Sequence, residues 1–305
     1  MKDLKFYLNK ALENHFALGA INFCNLESLQ AIVSACKETS SPAIISLSES
    51  AFEYIGEEYV INLTKSAKDS HPYLFLHLDH GKSFEICKKA VDLGFDSVMI
   101  DGSSLSFEDN VFITKKVVEY AHSKNVLVEG ELGQLKGIED NISSNEHHYT
   151  SPIQAKNFVE LTGIDMLAVA IGTSHGAYKY SGPQTLRYDI LSQIEELLPN
   201  FPLVLHGAST IDQGLIKLIN EHGGKIEGSS GIPIDLLQKC IKNHNIIKIN
   251  TDTDIRLAMT AQVREILNND KKIIDPRKYL GKGREKIKNQ IEFKIKNIFN
   301  SQNQI

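Results

Sequence analysis

Three apolar runs in this chain each end in a histidine beside a glycine. Tyr73–Leu78 runs into Asp79-His80-Gly81, Leu167–Ile171 into Gly172-Thr173-Ser174-His175-Gly176, and Leu203–Leu205 into His206-Gly207-Ala208-Ser209. A short apolar run closed by polar residues and glycine is a buried strand arriving at a surface. Three imidazoles that leave a fourth coordination position open form the donor set of a catalytic zinc ion rather than a closed structural one. The competing account is three unrelated core histidines. On a regular strand Asp79 and His80 point to opposite faces, so Gly81 is expected to bend the chain and bring both into one cavity. A carboxylate next to a metal-ligating histidine suits a base for proton transfer; its alternative role is to support the histidine from behind.

The elements that must position these groups follow from periodicity. Apolar strands are expected at Ala17–Phe23, Ala43–Leu47, Tyr73–Leu78, Ser97–Ile100, from Val126, and at Met166–Ile171, Leu203–Leu205 and Ile246–Ile249. Between them lie helical patterns such as Leu26–Glu38, Phe107–His122, Pro152–Leu161 and Ile234–Asn243, after a first helix at Leu4–Asn14. Gly137–Ser151 is polar and shows no usable period. Strands alternating with helices predict a parallel (β/α)8 TIM barrel. Polar residues gather after almost every strand, where barrel enzymes build their sites. An open doubly wound sheet would concentrate them at one switch point, and the chain carries no G-x-G-x-x-G fingerprint. The expectation is one domain, 1–305, with a C-terminal helical extension at about 271–305. In that extension Ile287, Ile291, Ile295 and Ile298 form a stripe to pack on the barrel or on a second subunit.

Composition narrows the function classes. The chain has 305 residues, 42% hydrophobic and 23% charged, which is ordinary for a soluble globular protein. A net charge of −5 argues against nucleic-acid affinity. The basic stretch Lys271–Lys296 is interrupted by Asp275, Glu285 and Glu292 and reads as a solvated helix face. The cysteines have no C-x-x-C spacing, and Cys24 and Cys87 sit among apolar neighbours as core residues do. No signal peptide and no membrane span is expected. The chain therefore reads as cytoplasmic.

Five fragments in this order resemble the class II, metal-dependent ketose-bisphosphate aldolases, in particular those acting on fructose 1,6-bisphosphate. They are His77-Leu78-Asp79-His80-Gly81, Val128-Glu129-Gly130-Glu131-Leu132-Gly133, Ala170–Tyr178, Leu205-His206-Gly207-Ala208-Ser209 and Asn250-Thr251-Asp252-Thr253-Asp254. The resemblance implies that His80, His175 and His206 hold a catalytic zinc and that Asp79 moves the proton of the C4 hydroxyl. It implies that Asp101 and Glu131 serve a second cation, divalent or monovalent, and that Lys179 and Ser209 lie in phosphate-binding loops. Asn250, Asp252 and Thr253 match residues gripping the dihydroxyacetone-phosphate half. Ser48 and Arg277 match contacts to the other phosphate, Arg277 from a neighbouring subunit. Asn22 and Arg256 are grouped with the substrate-binding residues. The implied assembly is a homodimer or homotetramer. Gly130 and Ser50 depart from the family's pattern without touching a ligand.

The residues fit that chemistry. Aldol cleavage between C3 and C4 must stabilise an enediolate, which a Lewis-acidic zinc does. Neutral histidines leave the metal its full charge. The rival strategy, a lysine Schiff base, needs a desolvated lysine at a strand end, and Lys248 inside the last strand is the single candidate. Glu139 can handle the second proton if its segment closes over the substrate on Gly133 and Gly137; otherwise it is a solvent-exposed loop acid. Gly176, Gly207 and Ser209 expose backbone N–H groups suited to phosphate. The alternatives are a tagatose-1,6-bisphosphate aldolase and a barrel zinc hydrolase. Asp252 and Asp254 fit the fructose branch better, and no His-x-His pair ends the first strand as a barrel hydrolase would require.

Overall fold

The computed structural model describes residues 3–133, 148–174 and 185–305 in full, and only the backbone of 136–139, 142–144 and 175. The chain runs α1 (Leu4–Asn14), β1 (Leu18–Asn22), α2 (Leu26–Thr39), β2 (Ala43–Ser48), α3 (Glu49–Ile55), α4 (Glu57–Ser70), β3 (Leu74–Gly81), α5 (Phe84–Asp92), β4 (Ser97–Ile100), α6 (Phe107–His122) and β5 (Leu127–Leu132). It continues through β6 (Lys136–Glu139), β7 (Ile142–Ser144), α7 (Pro152–Thr162), β8 (Met166–Val169), β9 (Ser174–His175), α8 (Tyr188–Leu197), β10 (Leu203–Leu205), α9 (Gln213–Glu221), α10 (Ile234–Asn243), β11 (Ile246–Thr251), α11 (Thr253–Asn269) and α12 (Pro276–Lys294), which ends in a π turn at Ile295–Phe299.

The strands β1, β2, β3, β4, β5, β8, β10 and β11 pair in parallel and close into a barrel, as the alternation of strands and helices predicts. Helix starts carry local caps. Asp3 accepts from the Phe6 amide at 2.9 Å, and Asn25 with Ser28 forms a reciprocal cap on α2. Besides helices α3 and α11, which the periodicity does not indicate, two features depart from the sequence reading. Strands β6 and β7 form an antiparallel hairpin whose first strand also pairs with β9, in a segment where no period was visible. Cys24 is exposed, whereas Cys36, Cys87 and Cys240 are buried, and all four are free thiols. No helix among the described residues is long and apolar enough to cross a membrane.

The barrel interior is layered. At its lower end Leu18, Ala20, Ile44, Phe75, Met99, Met166 and Val204 fill the space, closed from below by Leu4, Tyr7, Leu8 and Ala11 of α1. Alternation along each strand then carries the same inward column into polar residues: Phe75 to His77 and Asp79, Leu127 to Glu129 and Glu131, Lys248 to Asn250. Apolar side chains on the opposite strand faces pack under the helices. The π turn docks against β1, where the Phe299 ring leaves Gly19 no room for a Cβ.

Candidate active site

Asp79 and His80 end β3, but the bend expected at Gly81 lies one residue earlier. His80 itself takes φ +49°, and the pairing of β3 with β4 shifts register between Leu78 and Gly81. A non-glycine residue in the left-handed region is uncommon, and a register break of this kind re-aims a side chain. It turns the His80 ring to the side of Asp79. Gly81 is needed for a different reason: a Cβ there would stand 2.7 Å from the Met99 carbonyl oxygen and 2.9 Å from Cys87 Sγ.

Both Asp79 oxygens are held. Asn22 Nδ2 donates to one and Asn250 Nδ2 to the other, each at 2.8 Å, and the carboxylate is 2% exposed. Beside it, His80 Nε2 faces His206 Nδ1 at 2.9 Å. The far nitrogens meet carboxylates: His80 Nδ1 lies 3.0 Å from Asp101 and 3.7 Å from Glu131, and His206 Nε2 lies 2.8 Å from Glu129. A carboxylate acceptor requires N–H at the nitrogen it meets, so the two facing nitrogens carry the lone pairs with at most a proton between them. Burial opposes charge on His80, but its bond to Asp101 and the nearby Asp79, Asp101 and Glu131 carboxylates raise its pKa well above the ordinary value. Burial and the neighbouring His80 lower that of His206, against the pull of Glu129. Two imidazole lone pairs converging next to Asp79, each ring oriented by a carboxylate, are the donors a divalent cation takes. Ligating atoms of Asp79, His80 and His206 lie close enough to share one ion, and so do those of His80, Asp101 and Glu131.

Beneath this layer sits a buried ionic tier. Lys248 Nζ is 2.9 Å from Glu129 and donates to Asn250 Oδ1 at 2.7 Å. His77 bonds Ser97 through Nδ1 at 2.8 Å. Lys248 as the Schiff-base candidate therefore gives way to Lys248 as a paired cation. Sequence reasoning passes over Glu129 and His77, although both stand within its motifs. What would have exposed them is the period-two column that also carries Asp79 and Glu131.

The other expected residues fall as follows. Ser209 is buried, and Gly207 at φ +61° lies against the backbone of Ser174, where a Cβ would come within 2.6 Å of its carbonyl oxygen; the β8 and β10 loops are thus in direct contact. Asp252 pairs with Arg256 at 2.8 Å, with Thr253 opening α11 between them. A cleft of about 300 Å³ is lined by Asn22, Cys24, Ser48, Asp252, Arg256 and Met259, which joins the ends of β1, β2 and β11. Ser48 also caps α3 through the Ala51 amide at 3.4 Å. Arg277 lies in the first turn of α12 with a largely exposed side chain, and its guanidinium bonds Asp275 rather than a strand-end group of its own chain. The side chains of Glu139 and His175, and the residues Gly176 and Lys179, lie outside the described residues.

The family model for class II fructose-bisphosphate aldolase matches residues 2–304. A fructose-bisphosphate aldolase of Thermus caldophilus is 46% identical over 290 residues, covering 94% of each chain. One from Treponema pallidum is 42% identical over 312 residues, covering 96% of this chain and 94% of its own. Among solved structures, the YdjI aldolase of Escherichia coli K12 superposes with a TM-score of 0.80 at 30% identity, covering 99% of this chain and 98% of the other. A closed barrel whose strand ends carry a histidine pair, flanking carboxylates and a doubly held aspartate agrees with these matches, and the chain belongs to the class II fructose-bisphosphate aldolases, metal-dependent lyases of sugar phosphates.

Proposed function

We propose that this single-domain chain, 1–305, reversibly cleaves fructose 1,6-bisphosphate to dihydroxyacetone phosphate and glyceraldehyde 3-phosphate. The observation that carries this reading is Asp79, fixed by Asn22 and Asn250 beside the facing nitrogens of His80 and His206. His80, His175 and His206 hold the metal, which we assign as zinc; when bound it supplies Lewis acidity toward the substrate carbonyl. Asp101 and Glu131 would hold a second cation.

Asp79 accepts the proton of the C4 hydroxyl as the C3–C4 bond opens and returns it in the condensation direction. With both oxygens engaged by amides it is presented in one orientation, which lowers the reorganisation needed at the moment of transfer. Glu139 delivers the second proton, to the carbon of the dihydroxyacetone-phosphate half. Ser209 and the Gly176 and Gly207 amides, with Lys179, receive one phosphate; Asn250, Asp252 and Thr253 hold the adjoining half of the sugar. Ser48 and Arg256 line the cleft toward the other end. Arg277, directed outward in its own chain, meets that second phosphate in the site of a partner subunit, which makes the working unit a homodimer or a homotetramer built from it. The four free thiols fit a reducing compartment, and the enzyme is assigned to the cytoplasm.

The test is turnover of fructose and tagatose 1,6-bisphosphates in a coupled assay, with and without chelator. Chelator-sensitive cleavage favouring the fructose epimer is expected. Preference for tagatose would reassign the substrate, and cleavage of neither would remove the proposal.

A further inference from the structure

The buried face of α12 and its π turn, with Ile287, Ile291, Ile295 and Ile298, also carries a charged residue. Lys294 is 2% exposed and lies between Ile291 and Ile295 in a helix whose outer face is solvated. Its ammonium stands 3.2 Å from Asp254 Oδ2 and donates to Thr210 Oγ1 at 2.9 Å. Asp254, also buried, accepts from the Ile211 amide at 3.1 Å and from the Thr210 hydroxyl at 3.2 Å through its other oxygen.

These partners sit just beyond the C-terminal ends of β10 and β11. Thr210 and Ile211 directly follow His206–Ser209; Asp254 directly follows Asn250–Thr253. Ile211 takes φ +44°, a left-handed conformation that is strained for a β-branched residue and persists only where its surroundings hold it. Asp254 is what holds its amide. On the other side Ile232 donates to the Ser209 carbonyl at 3.0 Å, and Gly231 lies so close that a Cβ would stand 2.2 Å from the Thr210 carbonyl carbon. Stability alone is a poor reason for this pair, because a buried ion pair replaced by apolar residues of similar volume is often neutral or stabilising. Its location supplies a better one.

We infer that Lys294 is a positioning residue for the aldolase reaction: through Asp254 and Thr210 it keeps the His206–Ser209 loop and the β11–α11 junction, Asn250–Thr253, in mutual register from behind the site. The inference rests on the roles proposed for Ser209 and Asn250. Lys294 acts through Asp254 and Thr210 and does not itself touch substrate.

The experiment compares Lys294→Met, Lys294→Arg and the charge-balanced double variant Lys294→Met/Asp254→Asn with the parent at saturating zinc. It reads kcat and KM for fructose 1,6-bisphosphate, thermal midpoint, and hydrogen exchange across residues 206–213. Loss of alignment through a supporting residue is expected to lower kcat/KM in Lys294→Met by about 10–100-fold. Exchange at 209–212 should rise, and Lys294→Arg should recover most of both. The double variant, free of a lone buried charge, should regain the parental midpoint and still turn over slowly. Parental kcat/KM and parental exchange in a folded Lys294→Met or double variant would overturn the inference. Ser209→Ala separates the two layers: if it leaves kcat/KM unchanged, the phosphate role of the loop falls, while the exchange data still judge the Lys294 contact.

Discussion

Lys248 Nζ lies 2.9 Å from Glu129 Oε2 with neither side chain exposed, and Glu129 in turn accepts from His206. With Asn250 bridging from Lys248 to Asp79, one continuous chain of polar contacts joins the proposed base to the proposed metal ligands. Its members come from three strands, β3, β5 and β11, and from the turn after β10, so the arrangement exists only once the barrel has closed. Its consequences are testable.

A lysine whose nitrogen is engaged by a buried carboxylate and an amide oxygen is poorly placed to form an imine, whereas the facing histidines are good metal donors. Chelation should abolish cleavage and added zinc restore it, while borohydride in the presence of substrate should leave the enzyme active. Borohydride inactivation coupled to substrate would reverse the assignment.

Removing Lys248 strands Glu129 without its cation. Breaking a buried pair from one side typically costs about 3–5 kcal/mol, so Lys248→Met should shift the urea midpoint by a corresponding amount. Lys248→Met/Glu129→Gln, which removes both charges, should recover most of the loss. Equal stability of the single and double variants would show that Glu129 is balanced by other groups.

Asp79→Asn preserves shape and bulk in a site where Asn22 and Asn250 already contact both oxygens. We expect a folded, zinc-loaded protein whose turnover drops by about 10²–10⁴-fold, the usual worth of general acid–base transfer. A fall in zinc content that tracks the activity would instead make Asp79 a support for the metal.

Stability should fall in acid. Burial drives the His77 imidazole down to about 3, with Lys248 acting in the same direction, and burial with His80 lowers His206. Burial opposes ionisation of Glu129, but Lys248 and His206 outweigh it and hold the carboxyl below its usual range. His80, whose pKa is raised, is protonated in both folded and unfolded chains below its ordinary value and adds no slope there. The unfolded chain therefore binds more protons as the pH drops, and stability present above about pH 6.5 is lost progressively toward about pH 3. Urea unfolding in chelator at about pH 7 and about pH 4.5 reads this directly; a midpoint that holds steady or rises on acidification would contradict it.

Arg277 projects from the first turn of α12 with Asp275 as its partner, at 89% side-chain exposure, so it is available to a neighbouring molecule. Arg277→Ala should weaken bisphosphate binding and spare zinc. Mixing Arg277→Ala chains with Asp79→Asn chains, each nearly inactive, should restore activity as mixed dimers gain one intact site. No recovery after demonstrated subunit exchange would remove the arrangement in trans.

Much of the barrel is legible along the chain. Ser97–Ile100, Leu203–Leu205, Phe107–His122 and Ile234–Asn243 fall at the bounds their apolar periodicity predicts. Buried parallel strands are short continuous apolar runs, and each carries its polar residues where the run ends. Helices α3 and α11 and the β6–β7 hairpin escape that reading. α3 is only seven residues long, α11 mixes Thr, Gln, Arg and Glu through its stripe, and the hairpin lacks alternation.

Residue types and strand ends, then, are properties of the sequence by itself, and they suffice to nominate Asp79, His80 and His206. Partners are not. Glu129 and Lys248 are 119 residues apart and meet because barrel closure sets both inward one layer below the site; His80 reaches Asp79 because its own backbone turns left-handed, not because Gly81 follows it. Lys294 looks like one more cation on a basic helix until α12 packs and sets it against Asp254 and Thr210. Periodicity states which way a side chain points along its own element, whereas the atom it meets depends on register and packing between elements distant in sequence, and only the closed structure contains those.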